Sequence, residues 1–172
     1  MDWKEKTACI AIKAEAAQAS QIWERLQSWK PALGAWETTG NWDYLTWIEA
    51  ANLEELHRWA MELRGWPGVG HTSSHQVWAG SKNGKSWWDD QAGVWVWGRW
   101  NGKSGSSYPV KQGWATSSFS LPGEWDSLFW VQAPDWDQVW KKTWSLRQDG
   151  WETSTQVPMR RWWNQAKLKN WS

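Results

Sequence analysis

The sequence contains little cysteine, tyrosine and phenylalanine, no long apolar run and almost no net charge. Its single cysteine, Cys9, excludes an intramolecular disulfide framework, and the apolar neighbours Ile10 and Ile12 indicate a buried thiol in a reducing compartment. No apolar run approaches the roughly 20 residues that a membrane-spanning helix needs, and the charged start MDWKEK is unlike a signal peptide. We therefore expect a cytoplasmic protein with no membrane partner.

Charge gives no reason to expect nucleic-acid binding by the chain as a whole. Nineteen Lys and Arg balance 18 Asp and Glu, which leaves a net charge of +1 and no field that would gather phosphates. A basic stretch at the C-terminus, MRRWWNQAKLKNW, interleaves Trp with cations. It is read either as a short phosphate-contacting and base-stacking segment or as a solvated tail whose Trp residues dock on the body.

The aromatic residues are almost all tryptophan: the chain has 24 Trp beside two Tyr and two Phe. Trp could supply stacking platforms for bases, sugars or a flat cofactor. The alternative, which we favour, is that Trp fills positions where Leu, Val, Tyr or Phe would serve, through compositional bias or deliberate enrichment. Under that alternative the enrichment carries no information about a ligand.

Hydrophobic periodicity predicts a βαββαβ order in the first half of the chain. The apolar spacing predicts strands at TACIAIK, GAWETTG, YLTWIEA and HTSSHQVW, and a helix from Glu15 that stops before Pro31. A second helix follows in NLEELHRWAMELRG, with Asn52 as its N-cap and Gly65 as its end. Two helices on one face of an antiparallel sheet leave the other apolar face to be covered, most simply by a second copy of the sheet.

One segment of this pattern is written twice. GNWDYLTWIEA begins at Gly40, and GEWDSLFWVQA begins at Gly123. The second copy has a strand in GVWVWGRW, a weak helix in SSYPVKQGWA, a hairpin after SSFSLPG, a helix in DWDQVWKKTWSLRQ and a last strand in WETSTQV. In the second helix Trp136, Trp140 and Trp144 form a stripe that we expect to face its own sheet.

The repeat predicts an α+β protein made of two tandem ferredoxin-like βαββαβ units that pack sheet to sheet as an α/β barrel pseudo-dimer. The expected divisions are a first unit at 1–78, a Gly- and Ser-rich linker at 79–90, a more divergent second unit at 91–163 and a basic tail at 164–172.

The first copy resembles the effector-binding (RAM) domain of the Lrp/AsnC regulators. The resemblance rests on ACIAIK, TTGNWDYLTWIEA, NLEELHRW and GWPGVGHTSSH, and the second copy keeps only GEWD and WETST. It implies a barrel formed by paired units, further homo-oligomerisation, and a small effector, often an amino acid, bound near the Gly-x-x-Asp hairpin and the last strand. Only six residues precede the first strand, so no helix-turn-helix domain and no direct DNA binding are expected.

Candidate ligand-binding residues lie in the two hairpins and the two last strands. An Asp carboxylate beside free backbone groups could hold an ammonium group while the neighbouring Trp stacks on the ligand. The structural alternative, which we weigh more heavily, is that Gly provides the turn and Asp caps local backbone groups. Hydroxyls of the last strands could bond a carboxylate. The candidate residues are Gly40, Trp42, Asp43, Thr72, Ser74, Gly123, Trp125, Asp126, Thr153 and Thr155.

The sequence predicts no catalytic residue, metal site or cofactor. It has no Gly-x-Ser-x-Gly elbow, no phosphate loop and no paired carboxylates. His71 and His75 lie four apart on one strand, about 13 Å from each other, too far to share a metal. Since α/β barrels related to the Lrp/AsnC fold include haem enzymes, His75 is a conceivable axial ligand, although a single strand histidine is more often structural.

The sequence therefore favours a non-catalytic module that binds an amino-acid-like or aromatic ligand and oligomerises. One alternative is a Trp-enriched or engineered scaffold with no ligand. Another is a haem or monooxygenase-type enzyme of the same barrel superfamily, which would carry an absorbing cofactor.

Overall fold

The computed structural model describes most of the chain. The described residues are 6–82, 92–101, 109–121 and 123–168. They fall into two compact units: the described residues up to Val77 and from Pro158 onward form the first, and those from Trp78 to Val157 form the second. In the described residues no helix is long and apolar enough to cross a membrane.

The first unit has the element order expected from the sequence. Its elements are β1 (Thr7–Ala14), a 3-10 turn (Ala16–Gln18), α1 (Ala19–Ser28), β2 (Ala32–Thr39), β3 (Tyr44–Glu49), α2 (Leu53–Arg64) and β4 (Val69–Gln76). The strands pair antiparallel in the order β4-β1-β3-β2. The α+β class is confirmed, and the strand order places the turn between β2 and β3 beside the end of β1.

Local signals explain why α2 begins and ends where it does. The Asn52 side chain accepts a hydrogen bond from the backbone N–H of Glu55 at 2.8 Å, and the Glu55 carboxylate accepts one from the backbone N–H of Ala51 at 2.7 Å. This reciprocal pair satisfies donors that a helix start leaves open. Gly65 is the C-cap, as predicted.

The first sheet is buried on both faces. The helix-facing core contains Ile10, Ile12, Ile22, Leu26, Tyr44, Ile48 and Leu63, among other residues. The other face carries Cys9, Trp36, Leu45 and Trp47, each with no exposed surface. Burial raises the pKa of the Cys9 thiol by desolvating the thiolate, in keeping with the expected buried cysteine.

The second unit repeats the strand order with one strand added. Its strands and helix are β5 (Ala79–Lys82), β6 (Ala92–Trp100), β7 (Ser117–Ser120), β8 (Ser127–Ala133), α3 (Trp136–Gln148) and β9 (Trp151–Trp163). The order β9-β6-β8-β7 matches β4-β1-β3-β2, and β5 adds to the edge of β7.

The chain returns to the first unit at Pro158, within β9. β9 continues through Pro158, where the sequence predicted that the strand ends or lies at an edge, and its last part lies beside β2. The backbone N–H of Asn164 donates to the carbonyl of Leu33 at 2.8 Å. The short helix α4 (Gln165–Leu168) follows, and Lys167 forms an ion pair with Glu49 at 2.8 Å. This segment includes the start of the expected basic tail, whose residues 169–172 lie outside the described part.

The weak helix predicted in SSYPVKQGWA is wrong for the residues that the structure describes there. From Pro109 to Gly113 the chain forms turns, and Gly113 has a φ of 75°. A residue with positive φ ends helical geometry, which explains the difference. Ser106, Ser107 and Tyr108 of this prediction lie outside the described residues, as do residues 83–90 of the predicted linker. The linker's first residues form β5.

The Trp stripe of α3 points away from its sheet, contrary to the expectation from the sequence. The buried residues of α3 are Val139, Thr143 and Leu146. Trp136, Trp140 and Trp144 are 45%, 41% and 60% exposed, respectively. The helix therefore packs through the smaller side chains next to the stripe, and Trp136 and Trp140 stack on each other with centroids 6.1 Å apart.

Indoles instead fill one face of the second sheet. Trp95, Trp97 and Trp130 have at most 1% exposed surface on the face away from the core that contains Val96 and Phe129. A glycine next to them provides the room that a large ring needs. A Cβ at Gly93 would lie 2.3 Å from Cζ2 and 2.7 Å from Cη2 of Trp130. The Trp130 indole N–H donates to Oε1 of Gln132 at 2.7 Å, which holds the ring in place.

We predict that Gly93→Ala lowers the free energy of unfolding by about 1–3 kcal/mol, because the added methyl group overpacks a ring that is buried and hydrogen-bonded. Gly70→Ala is the matched control in β4, since its Cβ would meet only the Lys13 carbonyl oxygen at 3.7 Å. Urea unfolding followed by circular dichroism measures both variants. Equal stabilities for the two would contradict this account of the packing.

Candidate functional site

The first hairpin is tied to the end of β1 by Asp43. Gly40 has a φ of 125°, which allows the sharp turn after β2. The Asp43 Oδ2 atom accepts a hydrogen bond from the backbone N–H of Ala14 at 2.8 Å. The Asp43 backbone N–H donates to the carbonyl of Ile12 at 2.9 Å. Side chain and main chain of one residue thus fix the hairpin against β1.

The second hairpin repeats these bonds. Gly123 has a φ of 131°. Asp126 Oδ2 accepts from the backbone N–H of Trp100 at 2.8 Å, and the Asp126 backbone N–H donates to the carbonyl of Gly98 at 3.0 Å. The shared geometry accounts for Gly and Asp in both copies by a structural role, which leaves one carboxylate oxygen of each Asp for other contacts.

Each hairpin Trp lies against a residue that was not among the candidates from the sequence. Trp42 is half-buried and its ring stacks on His71, with centroids 5.7 Å apart and planes 14° apart. The Arg99 guanidinium lies 5.6 Å from the Trp125 ring centroid. Both copies therefore hold an indole beside the last strand or its neighbour.

The last-strand hydroxyls are equivalent in the two units. Thr72 and Ser74 are opposite Ile12 and Ile10 in the β1–β4 pairing. Thr153 and Thr155 are opposite Gly98 and Val96 in the β6–β9 pairing. The carbonyls of Ile12 and Gly98 each accept a hydrogen bond from the backbone N–H of the hairpin Asp. Thr72 and Thr153, which are opposite these two residues, are therefore at equivalent positions in the two units. The Thr153 hydroxyl accepts a hydrogen bond from Arg147 Nε at 2.7 Å.

Residues that were not predicted from the sequence form one cross-strand pair in each unit. Lys13 is opposite His71, and Arg99 is opposite Glu152. The Arg99–Glu152 pair has distances of 2.7 and 3.0 Å, and these hydrogen bonds raise the pKa of Arg99 above its usual value. Lys13 Nζ lies 3.6 Å from Asp43 Oδ1. Strand register brings these residues together, so only an exact pairing of β1 with β4 and of β6 with β9 could have identified them.

The histidine considered as a haem ligand is buried and has a hydrogen-bond partner. His75 is opposite Cys9 on the face of the sheet away from the helices, and its Nε2 lies 2.7 Å from the Ser73 hydroxyl. Among the described residues no group of three or more His, Cys, Asp or Glu is placed to hold a metal ion.

Comparison with known proteins finds a family model that matches part of the chain. Residues 7–86 match the model of the Lrp/AsnC ligand binding domain, which confirms the resemblance noted from the sequence over this stretch. A comparison with curated proteins finds no match. A hypothetical protein from Pyrococcus horikoshii is 25% identical over 40% of this chain and 83% of its own, with a TM-score of 0.38.

Two solved structures align with nearly the whole chain. The siroheme decarboxylase NirDL has a TM-score of 0.62 at 7% identity, over 96% of this chain and 76% of its own. A heme-binding protein from Thermus thermophilus has a TM-score of 0.52 at 12% identity, over 97% of this chain and 94% of its own. At these identities the likeness concerns the fold.

We predict that Asp43→Ala lowers the free energy of unfolding by about 1 kcal/mol, because the partly buried N–H of Ala14 loses its acceptor. Asp43→Asn keeps an acceptor oxygen and should lose less. Asp137→Ala on the exposed face of α3 is the control and should leave stability nearly unchanged, since surface changes are usually small. Chemical unfolding of the three variants checks this. If Asp43→Ala lowers the free energy of unfolding no more than Asp137→Ala does, the hydrogen bond from Ala14 to Asp43 contributes little to stability.

Proposed function

We propose that the chain is a non-catalytic module that binds a small amino-acid-like or aromatic ligand at its Gly-x-Trp-Asp hairpins. The observation that carries this proposal is that residues 7–86 match a ligand binding domain and contain a hairpin whose Trp lies against the last strand. The residues that the sequence predicts for this role are Gly40, Trp42, Asp43, Thr72 and Ser74, with Gly123, Trp125, Asp126, Thr153 and Thr155 in the second copy.

The proposed chemistry uses the side chains around each hairpin. The indole of Trp42 or Trp125 would pack on the apolar part of a ligand. The second oxygen of Asp43 or Asp126 would accept from an ammonium group, because Oδ2 is already bonded to the backbone. The last-strand hydroxyls take no part, because Thr72 is opposite Ile12 of the helix-facing core, whereas His71, which stacks on Trp42, is opposite Lys13 and so lies on the other face of the sheet.

We also propose that the two units are ferredoxin-like copies that pair through their sheet faces as a pseudo-dimer. Support comes from the shared strand order and from the burial of the face opposite the helices in each unit. A fully buried Trp47 in the first unit and a fully buried Trp95 in the second are consistent with faces that are covered.

A ligand should raise the melting temperature by mass action. At a hundredfold excess over its Kd we expect a rise of about 5–10 °C for a domain of this size. The screen uses the 20 amino acids and indole carboxylates against the wild type, Trp42→Leu and Trp125→Leu. Loss of the shift in one or both Trp variants supports the hairpin site. If no compound shifts the wild type, the ligand-binding proposal fails and the scaffold alternative is favoured.

Oligomerisation is proposed to use the outer faces of α2 and α3. Leu53 and Met61 are exposed on α2, and in the register of the repeat they correspond to Trp136 and Trp144, which are also exposed. Repetition of an exposed apolar stripe on equivalent helices favours contact with further copies of the chain.

Light scattering after size exclusion tests this proposal. The wild type should have a mass that is a multiple of 20.2 kDa. The double variant Trp140→Glu, Trp144→Glu should have the mass of a single chain. Trp78→Glu, which changes a Trp that is 66% exposed but lies outside α3, is the matched control and should keep the wild-type mass. A monomeric wild type would refute the proposal.

A haem or monooxygenase-type enzyme is the second candidate, because the fold neighbours include the siroheme decarboxylase NirDL and a heme-binding protein. The residues do not fit a macrocycle. His75 has its Nε2 engaged by Ser73, and the same sheet face is filled by Trp36 and Trp47, which have no exposed surface. We therefore assign no reaction to this chain.

A further inference from the structure

The two hairpins share a backbone frame but carry different charges. Lys13 and His71 occupy the cross-strand pair in the first unit, and Arg99 and Glu152 occupy it in the second. In the hairpin itself, Asn41 of GNWD corresponds to Glu124 of GEWD. Near Trp125 the charges of Arg99, Glu124, Asp126 and Glu152 sum to −2. Near Trp42, the charges of Lys13 and Asp43 sum to zero.

The second unit already contains the contact that a carboxylate ligand would make. The Glu152 carboxylate accepts hydrogen bonds from two nitrogens of Arg99, and the same guanidinium lies over the Trp125 ring. A cation, a carboxylate and an indole are thus assembled from the chain alone. A free carboxylate would have to displace Glu152 and approach a group of net negative charge, which is unfavourable.

The first unit offers the same frame with histidine in place of that glutamate. Lys13 has 47% of its side chain exposed, and its ion pair with Asp43 is 3.6 Å long, beyond hydrogen-bond distance. The Asp43 Oδ2 atom accepts a hydrogen bond from the backbone N–H of Ala14, which holds the carboxylate in place. The stacked rings of Trp42 and His71 provide a flat surface, and His71 is opposite Lys13 in the β1–β4 pairing.

We propose that the first hairpin is the ligand site and that it selects small organic acids. The ligand carboxylate binds Lys13, in the role that Glu152 has toward Arg99, and its planar or apolar part packs against Trp42 and His71. The second hairpin is closed to such ligands by its own ion pair. This inference rests on the proposed ligand-binding function and adds the charge class of the ligand and the copy that binds it.

Calorimetric titration with three matched probes separates this inference from the function it rests on. Indole-3-acetate, indole-3-acetamide and tryptamine share a ring and differ in being anionic, neutral and cationic at pH 7. The wild type should bind indole-3-acetate with one site per chain and at least about tenfold more tightly than the other two. If none binds, the organic-acid inference is overturned, whereas the ligand-binding proposal is overturned only if the melting-temperature screen is negative as well. If the amide or amine binds as well as the acid, the charge selection alone is wrong.

Variants identify the copy that binds. Lys13→Ala should weaken indole-3-acetate binding at least about tenfold, and Lys13→Arg should restore it, since an exposed cation is retained. Arg99→Ala is the matched control and should leave the affinity unchanged. Glu152→His should add a second site, because it releases Arg99 and gives the second copy the histidine of the first. Two sites in the wild type, or weakening by Arg99→Ala with no effect of Lys13→Ala, would overturn the assignment. Circular dichroism confirms that each variant is folded.

Discussion

Both hairpins depend on one interaction, the hydrogen bond from the backbone N–H at the end of the first strand of each unit to an aspartate oxygen. Ala14 donates to Asp43 in one unit and Trp100 donates to Asp126 in the other, each at 2.8 Å. The bond satisfies a backbone group where the strand stops pairing. It also fixes the position of the Trp that precedes each Asp, so the geometry of any ligand site there follows from a structural constraint.

Tryptophan has several roles in this chain, and the exposed fraction of each side chain distinguishes them. Trp47 and Trp95 are packed inside sheet faces with no exposed surface. Trp140 is 41% exposed on a helix that is anchored by Val139 instead. A single pocket could not use side chains placed so differently. The enrichment itself therefore says little about a ligand, and the Trp next to the last strand matters because of its neighbours.

The sequence predicted the frame well where local signals act alone. Asn52 and Gly65 bound α2 as expected, and the repeated Gly-x-Trp-Asp motif located both hairpins. The prediction was wrong where packing decides which face of a helix is buried. Periodicity predicted that the Trp stripe of α3 packs against the sheet, but Val139 and Leu146 are the side chains that are buried there. Hydrophobicity scales rank Trp as apolar, whereas the space next to the sheet decides which apolar side chain enters it.

The charged residues of the candidate site could not be predicted from the sequence, for a different reason. Lys13 and His71 are distant along the chain, as are Arg99 and Glu152, so each pair exists only through strand register. The two copies differ at this cross-strand pair. In the second unit the cation Arg99 is opposite the acid Glu152, and in the first unit the cation Lys13 is opposite the imidazole of His71. A duplicated frame with one cross-strand pair changed is enough to turn an internally paired surface into one that can accept a carboxylate. The repeated Gly and Asp hold the hairpin in both copies, while the proposed ligand specificity depends on residues that the repeat does not share.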